Sequence, residues 1–454
     1  MYFLILAKIG IPNLAVRECV KVRDNKELLS NKAQTFFILQ LIATLLSFVL
    51  MTSLVFTVPA LREANTLIFI LSINFLAGCF SFEWIFIALE KQFYMSVRSI
   101  VCLTLSSILT VIFIKSPSHL LLYAFIAVLV TVTTTIANLV YVTKFISLKK
   151  TMPYSFKEYA KPLVLLCSLS LLLSLYNQTD TFLLGLLDPS KVEVASYSVG
   201  VKGVDIIIGI VTALSTVFIP RAAYYYEKED KRFFNNLTKY SINICLFIVL
   251  PAAITMACLA KPICGLISGS NYANEQSGFG TAPTILITLA FMMLTYSIGD
   301  IIYGQILLPM KKEKFYMIAI GAGTVLNIAL SLVLGGIVFK NNPSIGVAIG
   351  TIITDVIIII YLVIITWKWI KNAIFNVNSL KLLAGGAALT ISSLLVVFFL
   401  NPVWGNLVNS INISYALEIL SVVVIGAIIY LGILAILKED LVYSFIRKKP
   451  KDEQ

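Results

Sequence analysis

A chain of 454 residues that is 59% hydrophobic and only 13% charged, with a mean hydropathy of +0.94, carries more apolar surface than a water-soluble core can bury. These values exclude a soluble globular protein and predict an all-α polytopic membrane protein, because the apolar runs are longer and more continuous than the roughly ten-residue alternating strands of a membrane β-barrel. The formal charge of +12 would suit nucleic acid, but the cations stand at the ends of apolar runs, where membrane topology accounts for them, and no nucleic-acid partner is expected.

In chain order, the first apolar stretch, Tyr2–Val16, covers only about 22 Å of a roughly 30 Å hydrocarbon core at 1.5 Å per residue. It has no signal-peptide pattern, and the expectation is that a preceding helix and part of this one are missing from the start. Next comes GIPNLAVRECVKVRDNKE, Gly10–Glu27, which carries Arg17, Lys21, Arg23 and Lys26 between two apolar segments. Four cations there mark a cytoplasmic turn. Further apolar spans run at about 33–57, 67–89, 99–114, 120–143, 162–187, 194–219, 238–260, 283–308, 315–339, 345–366, 382–400 and 414–437, about 13 in all with the short first one. Alternation from the first turn puts 28 of the 35 Lys and Arg inside and five outside, with Lys8 and Lys202 within spans. The C-terminus is then cytoplasmic.

The longest loops have about twenty residues, too few for a soluble domain. Arg221–Leu237 mixes aromatics with charges and reads equally as an interfacial helix or as an ordinary connector. Asn271–Gly280 is the longest outer loop. Seven cysteines without CxxC spacing and a single histidine, His119, support neither a disulfide framework nor a metal site. A repeat emerges from short echoes: Ile11-Pro12 and Ile219-Pro220 lie 208 residues apart, and Phe93-Tyr94-Met95 and Phe315-Tyr316-Met317 lie 222 apart. Two lobes follow, 1–150 and 151–375, with two extra helices and a basic tail over 376–454.

Ionisable groups inside spans cost at least about 2.5–3.5 kcal/mol on insertion scales and therefore face protein or water. Here they are Lys8, Glu83, Asp180, Lys202, Asp205, Asp300 and Asp355. Lys202 and Asp205, three apart on one helix face, either neutralise each other or leave Lys202 to hold an anionic headgroup while Asp180 balances it or takes a coupling proton. Glu83 and Asp300 sit at similar depth, although an ungapped overlay puts Gln305 opposite Glu83. Asp355 is either a cavity residue or bonded to a neighbouring helix. Arg17, Arg98 and Arg221 stand at inner helix mouths, as topology demands, or recruit a phosphate from the cytoplasmic leaflet.

Three stretches, GIPNLAVRECVKVRDNKELLS, LYNQTDTFLLGLLDPSKVEVASYSVGVKG and GQILLPMKKEKFYMIAIGAGTVLNIALSLVL, resemble the bacterial polysaccharide-transporter family, the flippases of lipid-linked oligosaccharides such as O-antigen and capsule units. The resemblance implies the fold of the multidrug and oligosaccharidyl-lipid exporter superfamily: usually fourteen helices, two six-helix lobes around a central cavity, then two more. It also implies a polyprenyl-linked glycan as substrate, the cytoplasmic membrane as location, and a polysaccharide polymerase and chain-length regulator as partners. No cofactor is called for, and a proton or sodium gradient is the expected energy source. A cation-coupled multidrug exporter and a lipid II flippase are the nearest alternatives. A membrane-embedded polymerase or glycosyltransferase would need a catalytic constellation on a sizeable loop, which the sequence lacks.

Overall fold

The computed structural model describes residues 2–8, 10–147, 149, 153, 156–273, 279–374, 376–407 and 410–447. Part of the Asn271–Gly280 loop and the end of the basic tail lie outside these. The chain forms two compact units, Met1–Ser174 and Leu175–Gln454. The division falls inside one continuous helix.

The first unit holds α1 (Tyr2–Lys8), α2 (Ile11–Val20), α3 (Lys26–Thr57), α4 (Pro59–Arg62), α5 (Asn65–Gly78), α6 (Glu83–Ala88), α7 (Gln92–Phe113), α8 (Leu120–Val142) and the first part of α9 (Ala160–Leu187). Proline at its start opens α2 after a left-handed Gly10, φ 64°. Asn25 caps α3, its Oδ1 accepting from the amides of Glu27 at 3.0 Å and Leu28 at 3.1 Å. Leu14, Phe36, Ile85 and Phe86 form the heart of the core where α2, α3 and α6 meet. At its rim, the buried carboxylate of Glu18 gathers Lys21 at 2.6 Å, Lys32 at 3.1 Å and Arg17 at 3.5 Å. Burial pushes this carboxyl up, but the hydrogen bonds from Lys21 and Lys32 outweigh it and hold Glu18 below the usual carboxylate range.

The second unit holds the rest of α9, then α10 (Val192–Glu227), α11 (Lys231–Cys258), α12 (Ala260–Ser268), α13 (Ala282–Ala290), α14 (Met292–Ile301), α15 (Glu313–Val333), α16 (Pro343–Ile374), α17 (Val377–Leu407), α18 (Ile411–Ile436) and α19 (Asp440–Arg447). Helices α17 and α18 pack on each other and on α11 through Leu382, Leu389, Tyr430 and Leu434. Buried Glu439 fastens this end, accepting from Asn378 Nδ2 at 2.6 Å and from the amides of Leu441 and Val442 at 3.0 and 2.9 Å. The π-helical turn Leu334–Val338 that follows α15 lies so close to α16 that a Cβ on Gly346 would be 2.6 Å from the Leu334 carbonyl carbon and oxygen.

Among the described residues eleven helices are long and apolar enough to cross a membrane, and the expected count of about 13 is not confirmed. The first stretch is split into a seven-residue and a ten-residue helix, and 162–187 falls in α9, whose early side chains lie partly outside the described set. The segment Arg221–Leu237 is not a separate interfacial helix. It is the last turns of α10, a tight turn and the start of α11, the turn made possible by a left-handed Glu229 at φ 56°.

The same helix is irregular in both units. In the first it breaks between Gly78 and Glu83, with Phe82 left-handed at φ 47°. In the second it carries a π-helical turn, Ile302–Leu307. The offset of 222 that relates Tyr94 to Tyr316 sends Phe82 to Gly304 and Glu83 to Gln305. The two tyrosines also behave alike: Tyr94 stacks on Tyr141 at 4.1 Å, and Tyr316 on Tyr303 at 4.3 Å.

Two measurements follow from this packing. Gly346→Ala, whose new methyl meets backbone rather than a flexible side chain, is expected to cost about 1–3 kcal/mol, read as a fall in melting temperature of the purified protein; an unchanged melting temperature refutes the close approach. Because the Glu18 carboxyl is depressed in the folded state, its stabilisation is complete above the ordinary carboxylate value of about 4.3 and is lost as pH falls through the lower folded value. Wild type therefore melts above Glu18→Gln at neutral pH, and the gap closes in acid.

Candidate functional sites

In the first unit, the break before α6 exposes backbone carbonyls that a continuous helix would have used, and side chains of α8 take them up. Asn138 Nδ2 donates to the Ser81 carbonyl at 2.7 Å, and Thr135 Oγ1 to that of Ala77 at 3.3 Å. The Asn138 amide oxygen then accepts from Arg98 Nη1 at 2.7 Å and from the Tyr94 hydroxyl at 3.3 Å. Arg98 Nη2 reaches Glu83 Oε1 at 3.0 Å. Two residues read separately from the sequence thus form one ion pair.

Beside this network lies a cavity of about 230 Å³, lined by Lys8 and Glu83 together with Gln40, Thr44, Asn74 and Thr131. Trp84 Nε1 donates to Gln40 Oε1 at 3.3 Å. The buried atoms Thr44 Oγ1, Asn74 Oδ1 and Arg98 Nε have no protein partner. Since Glu83 is already matched by Arg98, the ammonium of Lys8 is the uncompensated charge of this cavity among the described residues.

The second unit contains a different kind of polar centre. Two hydroxyl–carboxylate rungs join α9 and α16: Tyr176 donates to Asp355 Oδ1, and Thr351 Oγ1 donates to Asp180 Oδ2 at 2.8 Å. The residues alternate across the rungs, so each helix supplies one acid and one hydroxyl. Tyr197 of α10 donates to Asp180 Oδ2 at 2.6 Å, and Asn327 Nδ2 of α15 to Thr351 Oγ1 at 3.1 Å. Four oxygens remain without a protein partner: Asp180 Oδ1, Asp355 Oδ2, Asn327 Oδ1 and Ser331 Oγ. All four residues are buried. No lysine or arginine forms an ion pair with these acids among the described residues. A group of buried oxygen acceptors that includes two acids and no cation of its own is chemically suited to a hard cation or a proton.

The other expected residues stay apart. Lys202, Asp205 and Arg221 are exposed, and no ion pair within 4 Å joins Lys202 to Asp205 or Asp180. Neutralisation of Lys202 by Asp205 is thus not what the structure shows. Arg17 is exposed and leans on Glu18. Asp300 is half-buried immediately before the π-helical turn. Sequence reasoning missed Tyr176, Tyr197, Asn327, Ser331 and Thr351. Their signal was spacing: Tyr176/Asp180, Asn327/Ser331 and Thr351/Asp355 are polar pairs four residues apart, each on one face of an otherwise apolar helix.

Comparison with known proteins agrees with this architecture. Residues 1–225 match a family described as polysaccharide biosynthesis protein, and residues 166–333 match the MatE family. No curated protein matches the chain. Among solved structures, the fold is similar to that of a lipid II flippase, MurJ, in an inward closed conformation, with a TM-score of 0.63 and 17% identity over 97% of this chain and 94% of that one. It is also similar to an inward-facing multidrug resistance MATE transporter of the MOP superfamily, with a TM-score of 0.59 and 15% identity over 81% and 88% of the two chains. A MATE protein in a bent conformation gives a TM-score of 0.57 at 16% identity, over 82% and 85%. One family model thus covers residues 1–225 and the other reaches residue 333, and this multi-pass membrane protein has a fold similar to those of the flippase and transporter structures above.

Proposed function

We propose that the protein is a flippase that carries a polyprenyl-diphosphate-linked oligosaccharide from the inner to the outer leaflet of a bacterial cytoplasmic membrane, for assembly of a surface polysaccharide such as O-antigen or capsule. The observation that carries this reading is the match of residues 1–225 to the polysaccharide biosynthesis family. The first unit's cavity supports it. Amide and hydroxyl groups suited to sugar hydroxyls surround the uncompensated Lys8, which complements an anionic linker or sugar. Among the other expected contact residues, Arg98 acts by holding Glu83, and Arg17 and Arg221 offer cations at the inner face, where phosphates are met first. Lys202, Asp205 and Asp300 remain candidates for contact with the headgroup.

The transport cycle is alternating opening of two lobes, driven by an ion gradient, with the C-terminus in the cytoplasm. In the second unit, Asp180, Asn327, Ser331 and Thr351 would hold the coupling ion. A sodium ion or a proton bound there supplies the positive charge that a buried carboxylate otherwise lacks. Asp355, bonded to Tyr176, stands one helical turn from Thr351 and adds to the same negative field. A polymerase and a chain-length regulator would receive the product. The second reading, a lipid II flippase, is favoured by the extent of the likeness to MurJ; the third, a multidrug exporter, by the MatE match.

In cells lacking their own glycan flippase, Lys8→Ala and Asp180→Asn are each expected to lower surface polysaccharide about tenfold, equivalent to about 1.4 kcal/mol, with unchanged protein in the membrane, while Lys8→Arg retains export. Wild-type export in both variants would remove these sites from the mechanism. Export of lipid II or of cationic drugs, with no export of oligosaccharide, would move the assignment to the corresponding relative. In the purified protein, sodium is expected to raise the melting temperature and Asp180→Asn to abolish that rise; a proton-coupled site shows no sodium effect.

A further inference from the structure

The end of the second unit that carries the α10–α11 turn holds an open cleft of about 640 Å³. Three acids and three lysines line it. Glu227, Glu229 and Asp230 come from the α10–α11 turn together with Lys231 at the start of α11, whereas Lys311 comes from the turn before α15 and Lys368 from the end of α16. Opposite charges so close in sequence and space would normally collapse into ion pairs. None does: all five ion pairs among the described residues lie in the first unit. The acidic turn and the two distant lysines are held on separate walls.

Glu229 and Lys311 both have left-handed backbone, at φ 56° and 55°, which turns the chain sharply after α10 and before α15. Aromatic rings line the same space and are fixed by their neighbours, Tyr225 against Phe233 at 5.4 Å and Trp369 against Phe234 at 5.4 Å. Tyrosine, tryptophan and lysine at the ends of apolar helices are the residues of the membrane–water boundary. A ligand of one sign would meet one favourable wall and one repulsive wall. A ligand bearing both signs satisfies each.

We propose that this cleft binds a zwitterionic headgroup that carries an ammonium and a phosphate, the chemistry of a phosphatidylethanolamine lipid. The phosphate sits against Lys311 and Lys368, and the ammonium against Glu227 and Glu229. The site stands whichever substrate the protein transports.

The test uses the full-length protein purified in detergent and freed of lipid. Binding of short-chain phosphatidylethanolamine, short-chain phosphatidylglycerol and free phosphoethanolamine is measured by calorimetry or native mass spectrometry. Phosphatidylethanolamine is expected to bind at least about tenfold more tightly than phosphatidylglycerol. The double variant Lys311→Gln/Lys368→Gln weakens phosphatidylethanolamine binding by a similar factor, and Glu227→Gln/Glu229→Gln removes the preference over phosphatidylglycerol. Free phosphoethanolamine binding as tightly as the lipid assigns the site to a soluble zwitterion; binding of the lipid alone assigns it to the bilayer. Equal affinity of wild type for the two lipids, or wild-type affinity in both double variants, overturns the proposal.

Discussion

A polar group in hydrocarbon has no water to turn to, so each carbonyl, amide and charge inside the membrane must find a partner in the protein. That requirement shapes both units. In the first, Asn138 and Thr135 donate to carbonyls at the break of one helix, and Asn138 then holds Arg98, which in turn holds Glu83. One interruption of the backbone has recruited four side chains from three helices. In the second unit the corresponding helix keeps its continuity through a π-helical turn, and no such relay is needed.

The contrast between the two versions is informative because the positions coincide. Glu83 is half-exposed and ion-paired, whereas Gln305, its counterpart, is completely buried with neither amide atom bonded to protein. Gln305 instead faces a space of about 10 Å³ that it shares with Ser215 and Ser241, both also without protein partners, a volume that accommodates one water. The place of the irregularity is thus shared between the two units while its chemistry differs, charged in the first and neutral in the second. The polar centres differ in the same way: Lys8 lines the cavity of the first unit, and the buried acids Asp180 and Asp355 lie in the second.

Much of the framework was legible because hydropathy and charge act over long windows. The apolar runs marked most helices, and the ionisable residues inside them picked out Asp180, Asp355, Glu83 and Lys8 as members of polar centres. What eluded sequence was pairing. Arg98 looked like a topological anchor at a helix mouth, since nothing local reveals that Glu83, fifteen residues away, lies across a helix break. Lys202 and Asp205 looked like a pair because they share a helix face, yet both are exposed and unpaired with each other. On a helix that is apolar all round, periodicity does not say which face meets protein. Length and composition likewise treat a split helix such as α1–α2 as one run.

The uneven distribution of ion pairs has a consequence for behaviour in solution. Arg17, Lys21, Lys32 and Arg23 make their contacts at the rim of the first unit, where counterions penetrate and the Debye length shrinks from about 10 Å at 0.1 M to about 3 Å at 1 M salt. The second unit's described framework relies instead on apolar packing and on hydrogen bonds, several of them to buried acids such as Glu439, with no ion pair among the described residues. Concentrated electrolyte is thus a selective solvent for one half of the molecule, loosening the rim of the first unit while the second keeps its grip.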